Sequence, residues 1–136
     1  LLKLGAIPII NENDTVSTDE ILEIGDNDTL SAIVSCLAHA DLLVILSDID
    51  GLYDADPRAN ENAKLVAEVH GVTSEIYAMA GGAGSALGTG GMTTKLNAAK
   101  MVNAEGIDMV IMNGSDPKML YDVIDGKNVG TKFCCK

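Results

Sequence analysis

Apolar residues recur every three or four positions in two long segments of the chain, residues 28–39 and 92–104. This spacing places the apolar residues on one face of a helix, so both segments are predicted to be amphipathic helices, the second ending at Gly106. Less regular patterns predict shorter helices over 72–79 and 117–124. Four helices are therefore expected along the chain.

Continuous apolar runs predict the strands. The run 42–46 predicts an interior parallel strand, and the run 109–112 predicts another buried strand. A short run rich in isoleucine, 7–10, predicts a strand near the start of the chain, and 130–133 predicts a last strand at the edge of the sheet. Because strands and helices alternate, we expect an α/β layered fold whose ligands lie at the carboxyl ends of the strands.

The charge of the chain excludes one large class of partners. The 136 residues carry a formal net charge of −11, whereas a protein that binds nucleic acid normally presents a basic face. No apolar run approaches the roughly 20 residues that a membrane-spanning helix needs. We therefore expect no nucleic-acid partner and no membrane partner. A nucleotide stays compatible with this charge, because backbone amides, one lysine and a metal ion can hold its phosphates.

The cysteines and histidines form no metal-binding or disulfide pattern. Cys36 lies in a predicted helix and is typical of a small core residue, and Cys134 and Cys135 are adjacent, which suits neither a bridge nor a ligand set. Neither His39 nor His70 has a partner at metal-ligand spacing. The sequence therefore predicts no metal ligands and a reducing, cytoplasmic location.

Two polar clusters, residues 11–14 and 25–28, follow the first predicted strand and precede the first predicted helix. Amides, backbone N–H groups and carboxylates can hold the charged groups of an amino acid, but Asn and Asp serve equally well in caps and turns. Ser47 and Asp48 follow the apolar run 42–46. A nucleotide contact and an ordinary strand-to-loop transition are both compatible with that position.

A glycine-rich segment, residues 87–95 with the sequence L-G-T-G-G-M-T-T-K, leads into the predicted helix 92–104. Glycines let backbone amides approach phosphate oxygens, the N-terminus of a helix attracts anions, and Lys95 adds a full positive charge. The spacing is not that of a Walker A loop, and a tight turn without a ligand would use the same glycines. Phosphoryl transfer needs chiefly positioning and charge neutralisation, which such a segment supplies.

The order of these segments resembles the amino acid kinase family and, within it, the branch that phosphorylates glutamate. The strings that carry the resemblance are I-P-I-I-N-E-N-D-T-V, G-D-N-D-T-L-S-A, S-D-I-D-G-L-Y-D-A-D-P-R and G-T-G-G-M-T-T-K. Uridylate and aspartate kinases share the sheet and the glycine-rich lysine loop but are not similar in the first two strings.

The resemblance implies a fold and a division of the chain. The implied fold is a three-layer α/β/α sandwich of the carbamate kinase-like type with a mostly parallel sheet. Residues 1–136 would form part of one kinase domain, with glutamate-binding segments within 11–28 and nucleotide-binding segments within 47–136. The family's N-terminal segment, with a Lys-x-Gly-Ser phosphate-binding motif, and its optional C-terminal RNA-binding-type domain are expected to be missing. We therefore expect this chain alone not to catalyse at a normal rate.

The resemblance also implies roles for individual residues. Asp14 and Asn27 match glutamate-binding residues. Asp28 matches the acidic residue that positions lysines around the transferred phosphate, and Lys95 matches the lysine that stabilises the transition state. The residues that match nucleotide contacts are Ser47, Asp48, Thr89, Gly90, Gly91, Met92, Thr93, Thr94 and Lys95.

The implied reaction is the transfer of a phosphoryl group from ATP, with Mg²⁺, to the γ-carboxylate of L-glutamate. In the family this reaction opens proline biosynthesis, with proline as a feedback inhibitor and a homo-oligomer as the full-length enzyme. Two alternatives stay open at this point. One is another member of the family, similar to the uridylate or aspartate kinases, and the other is a nucleotide-binding module without catalytic activity.

Overall fold

A computed structural model describes residues 1–11, 26–80 and 91–135 of the chain. Its helices lie close to the segments that the periodicity predicts. They are α1 (Asn27–Ala38), α2 (Ser74–Ala80), α3 (Gly91–Ala104) and α4 (Met119–Ile124), preceded by a single 3₁₀ turn at Leu2–Leu4. None of the helices in the described ranges is long and apolar enough to cross a membrane.

Capping residues mark the start of α1 and the C-terminal ends of α1 and α3. The side chain of Asp26 accepts a hydrogen bond of 2.7 Å from the backbone N–H of Thr29 and so caps the N-terminus of α1. The same helix ends at His39, which adopts the left-handed conformation with φ 50°. Gly106, predicted as the stop of α3, also has a positive φ of 77°. Both long helices are therefore followed by short turns that lead directly into strands.

The described strands form one mixed sheet of four. They are β1 (Leu42–Ser47), β2 (Glu68–Val69), β3 (Asp108–Asn113) and β4 (Thr131–Phe133), in the spatial order β1-β3-β4-β2. The pairs β1–β3 and β2–β4 are parallel, and β3–β4 is antiparallel. The α/β fold predicted from the sequence is confirmed.

One prediction about strand position is wrong. The segment 130–133 was predicted at the edge of the sheet, but β4 lies between β3 and β2, and its Thr131 and Phe133 are fully buried. The run 42–46 was predicted as a parallel strand, and within the described residues β1 is parallel to β3. Strand order depends on contacts between distant segments, which a local apolar pattern does not encode.

The predicted strand at 7–10 is also wrong, because these residues have no regular secondary structure. Ile7 and Ile9 are 90% and 97% exposed. A strand is stabilised by hydrogen bonds to a neighbouring strand and by burial of one face. Within the described residues, this run receives neither.

Helices cover both faces of the sheet. α1 and α3 pack together on one face, where their buried residues join Met109, Ile111 and Phe133 in a single core cluster. On the other face, Val123 of α4 lies with Val110 around a shared cavity. Alternate residues of β3 therefore point to opposite layers, and four consecutive residues of this strand, 109–112, are buried.

The chain direction brings the N-termini of the two long helices to one end of the sheet. α1 leads into β1, and α3 leads into β3, each through a turn of three residues. Because each helix runs back along the strand that follows it, both helix N-termini lie at the end where β1 and β3 finish. Residues at the start of α1, at the start of α3 and just after β1 and β3 consequently lie at the same end of the sheet.

Candidate active site

A carboxylate on α1 binds two side chains of α3. Oδ2 of Asp28, in the first turn of α1, accepts a hydrogen bond of 3.1 Å from Nζ of Lys95 and one of 2.6 Å from Oγ1 of Thr94. The side chains of Lys95 and Asp28 are only 14% and 18% exposed. These residues are separated by 67 positions in sequence, so the helix packing alone brings an acid, an ammonium and a hydroxyl together.

The local sequence explains why Asp28 faces α3. The capping position is occupied by Asp26, whose carboxylate binds both the backbone N–H and the hydroxyl of Thr29. Asp28 is therefore not required as the cap and points across to the neighbouring helix. Small buried side chains, Ala32 on α1 and Ala99 on α3, let the two helices approach closely. A negative side chain in the first turn of α1 is also favoured by the helix dipole.

A second polar group lies where β1 and β3 end. Ser47 and Asn113 are paired in the register of these strands. Nδ2 of Asn113 donates to Oδ1 of Asp50 at 2.9 Å, and the hydroxyl of Tyr53 donates to Oδ2 of the same carboxylate at 3.0 Å. The hydrogen bond from the Tyr53 hydroxyl to Asp50 raises the pKa of Tyr53, and burial and the negative charge of Asp50 raise it by smaller amounts. Asp50 is thus held by two donors at the end where a ligand of an α/β fold is expected.

An open cleft of about 470 Å³ joins the start of α1 to residues near the beginning of the chain. Asn11 and Asn27 line it, and Leu30, Val34 and Leu43 provide an apolar wall. Its size falls in the range of sites for small molecules. The cleft therefore brings an amide from each of the two predicted polar clusters, 11–14 and 25–28, to one concave surface.

The structure places the predicted site residues in three groups. Asp28, Thr94 and Lys95 are in contact, with Asn27 adjacent at the first position of α1 and the first turn of α3 formed by Gly91, Met92 and Thr93. Ser47 and Asp48 lie after β1, where Oγ of Ser47 donates to Oδ1 of Asp48 at 3.2 Å. The predicted residues Asp14, Thr89 and Gly90 lie outside the described residues.

No site role was assigned from the sequence to Asp50, Tyr53 or Asn113, and it was not predicted that they would meet. A signal was available, because Asn113 follows the buried run 109–112 just as Ser47 follows 42–46. Parallel neighbouring strands end at the same side of a sheet, so these two polar residues had to meet there.

The sequence profile of the Amino acid kinase family matches residues 1–113 of the chain. The chain belongs to this family. The matched range includes the Asp28–Lys95 contact and both strand ends described above. Membership of the amino acid kinase family accounts for the predicted fold class, a sheet with helices on both faces.

Curated relatives with the name glutamate 5-kinase are similar over the whole chain. The protein of Clostridium perfringens is 58% identical over 139 residues, covering 100% of this chain and 52% of its own length. The protein of Clostridium tetani is 56% identical over 133 residues, covering 98% of this chain and 49% of its own length. The chain thus spans about half the length of these two relatives.

Solved structures of other amino acid kinases share the fold at lower identity. A carbamate kinase from Giardia lamblia bound to AMP-PNP is 23% identical with a TM-score of 0.60, over 82% of this chain and 36% of that one. A uridylate kinase from Archaeoglobus fulgidus is 21% identical with a TM-score of 0.58, over 79% of this chain and 46% of that one. At this identity the similarity concerns the fold alone.

Proposed function

We propose that this chain is part of an enzyme that transfers the γ-phosphoryl group of ATP to the γ-carboxylate of L-glutamate. The observation that carries the proposal is the contact of Asp28 with Thr94 and Lys95 at the helix N-termini. The identity of 58% and 56% to relatives named glutamate 5-kinase supports the choice of substrate.

In this proposal, Lys95 stabilises the transferred phosphoryl group. Its ammonium lies at the start of α3, after the glycine-rich segment, and the N-terminus of that helix attracts anions. The transition state of phosphoryl transfer carries negative charge on its three equatorial oxygens, so a fixed positive charge lowers the barrier. Asp28 is a positioning residue, because its carboxylate holds the ammonium in one place without a bond to the reactants.

The proposed reaction needs no general base. A γ-carboxylate oxygen of glutamate attacks the γ-phosphorus in line with the bond to the bridging oxygen. The new O–P bond forms, the bridging bond breaks, and ADP leaves with the electron pair. No proton moves, because a carboxylic acid with a pKa of about 4.3 is already ionised at neutral pH.

The remaining predicted residues are assigned to the two substrates. Ser47 and Asp48 would contact the nucleotide, and residues 89–95 would follow its phosphates. Magnesium would add further charge neutralisation with oxygen ligands mainly from these phosphates, since Oδ2 of Asp28 already accepts two hydrogen bonds. Asn27 would bind glutamate in the cleft that it shares with Asn11. Asp14 would contribute to the same substrate.

The proposal extends to the biological setting that the family resemblance implies. The product, an acyl phosphate, would be the first intermediate of proline biosynthesis in the cytoplasm. Proline would act as a feedback inhibitor, and the full-length enzyme would be a homo-oligomer. The family resemblance and the names of the relatives support this setting.

A pair of lysines on α3 offers a matched test. In the full-length protein, we expect Lys95→Ala to reduce kcat for glutamate about hundred-fold or more, equivalent to about 3 kcal/mol of transition-state stabilisation. Lys100→Ala removes an exposed lysine from the same helix and is expected to leave kcat within about twofold. The measurement is coupled release of ADP with glutamate, aspartate or uridylate as acceptor.

Each contrary result in this assay has a defined meaning. A higher rate with uridylate or aspartate would favour another member of the family. Binding of ATP without turnover on any acceptor, unchanged by Lys95→Ala, would favour a non-catalytic nucleotide-binding module. Equal effects of the two lysine substitutions would contradict the role of Lys95.

A further inference from the structure

Three side chains with metal-binding atoms converge at the opposite end of the sheet from Ser47 and Asn113. One ligand atom each from Glu68, His70 and Cys134 lies within 4.8 Å of the other two. β4 is antiparallel to β3, and β2 is parallel to β4, so β2 and β4 finish where β1 and β3 begin. The cluster is therefore remote from the Asp28–Lys95 contact.

The strand pairing produces this convergence. Val69 pairs with Phe133 in the register of β2 and β4, and both residues are buried in the core. The pairing continues by one residue, because the backbone N–H of Cys134 donates to the carbonyl of Val69 at 3.0 Å. Side chains alternate between the faces of a strand. Glu68, His70 and Cys134 therefore share the face that is turned away from the core cluster.

The distances suit one tetrahedral cation. Bonds of about 2.0–2.3 Å from zinc to nitrogen, oxygen and sulfur put neighbouring ligand atoms about 3.4–3.6 Å apart. Nε2 of His70 and Oε2 of Glu68 are already 3.5 Å apart. The ligand atom of Cys134 lies within 4.8 Å of both, and the side chains of His70 and Glu68, which are 74% and 54% exposed, have room to rotate toward it.

We propose that Glu68, His70 and Cys134 bind Zn²⁺, with a fourth coordination position open to water. Thiolate, imidazole and carboxylate are all zinc ligands, whereas Mg²⁺ and Ca²⁺ take oxygen ligands. The site is independent of the proposed kinase activity.

The charges around the cluster are compatible with a cation. Lys132 carries a nearby ammonium, which is paired with Oδ2 of Asp108 at 2.8 Å. The Cys134 thiol loses its proton when the metal binds. Glu68 supplies a negative charge that offsets part of the charge of the ion.

A bound ion would connect the shortest strand to its neighbour. β2 has only two residues, and its described pairing is with β4. Because Glu68 and His70 belong to the β2 segment and Cys134 directly follows β4, the ion would link β2 to β4 through its ligands. A metal ion that binds only the folded state raises the thermal midpoint of unfolding with increasing concentration.

The test is titration of the full-length protein, purified without a polyhistidine tag, with Co²⁺ as a spectroscopic probe for zinc. We expect one equivalent to bind with a thiolate-to-cobalt charge-transfer band, and Zn²⁺ to displace it. Cys134→Ser should abolish the band, whereas Cys135→Ser, the matched control, should retain it. His70→Gln and Glu68→Gln should each weaken Co²⁺ binding at least about tenfold.

The outcomes that overturn the proposal are equally specific. They are the absence of a charge-transfer band, a band that survives Cys134→Ser, or equal losses in Cys134→Ser and Cys135→Ser. If Cys134→Ser does not fold, the two exposed ligands decide, because their substitution leaves the core intact. Unchanged affinity in both His70→Gln and Glu68→Gln, with folding verified by circular dichroism without metal, would also exclude the site.

Discussion

The substitution Asp28→Asn tests how the site positions its lysine. Asparagine keeps the size of the side chain but removes the negative charge that faces Lys95. For unit charges 3.1 Å apart, Coulomb's law gives about 5 kcal/mol at an effective dielectric constant near 20 and about 1 kcal/mol in bulk water. The net value is smaller than the upper figure, because both groups lose hydration when they pair.

The expected kinetic effect follows from the loss of this restraint. A displacement of about 1 Å at a reacting centre costs on the order of a hundred-fold in rate. We therefore expect kcat to fall about 10- to 100-fold, which corresponds to about 1.4–2.7 kcal/mol and lies within the electrostatic range above. Since Asp28 has no proposed bond to the reactants, KM for glutamate and for ATP should change much less than kcat.

A control and a double-mutant cycle make the test specific. Asp26→Asn removes a charge two residues earlier, but asparagine is an equally good capping residue, so kcat should stay within about twofold. In the Lys95→Ala background, Asp28→Asn should have little further effect, because the residue that it positions is gone. Additive effects of the two substitutions, or a kcat for Asp28→Asn equal to that of the parent, would refute the positioning role.

Two further predictions concern stability. Gly130 has φ 64°, and a Cβ added there would clash with the backbone oxygen of Ile111. Gly126 has a similar φ of 75°, but a Cβ added there would meet open space. We expect Gly126→Ala to lower the free energy of unfolding by about 1–2 kcal/mol, because alanine is strained in the left-handed conformation. Gly130→Ala should lower it by more, because it adds a steric clash. Equal urea midpoints for the two variants would contradict this prediction. Burial, the largest single effect, would raise the pKa of Asp108, but the hydrogen bonds from Lys132 and Cys135 and the charge of Lys132 together outweigh it and lower that pKa below 3.8. The stability contributed by this carboxylate is present above pH 3.8 and is lost as the pH falls through the lowered value. Asp108→Asn should therefore flatten the acid limb of the unfolding free energy against pH, and an unchanged acid limb would exclude the contribution.

The sequence predicts the parts of the fold that depend on local pattern. α1 and α3 are close to the predicted segments, because Leu96, Ala99 and Val102 recur at helical spacing and are fully buried. The apolar runs of β1 and β3 likewise predict strands. The central position of β4 could not be predicted, because a strand of three residues carries little periodic signal and the polar Thr131 is of a type usually found at the surface. In the structure the buried Thr131 hydroxyl accepts a hydrogen bond from the backbone N–H of Leu52 and donates one to the carbonyl of Val66, which offsets the cost of its burial.

The candidate site was also predictable only in the parts that depend on local sequence. The glycine-rich segment, the helix start and the polar strand ends predict where a ligand belongs, because ligands of α/β folds lie at the carboxyl ends of strands. The bond between Asp28 and Lys95 was implied by the family resemblance and not by spacing, since 67 positions separate the two residues. His70 and Cys134 had no partner at metal-ligand spacing. They meet only through the pairing of β2 with β4, which sequence reasoning did not predict.

In the proposed reaction the site forms an acyl phosphate on glutamate. Hydroxylamine detects this product, since an acyl phosphate reacts to a stable hydroxamate, whereas a phosphate ester does not. We expect the full-length protein with ATP, Mg²⁺ and glutamate to form γ-glutamyl hydroxamate in step with ADP release, strongly reduced by Lys95→Ala and retained in Lys100→Ala. Release of ADP without hydroxamate would contradict the proposed reaction, and equal hydroxamate formation in the two variants would contradict the role of Lys95.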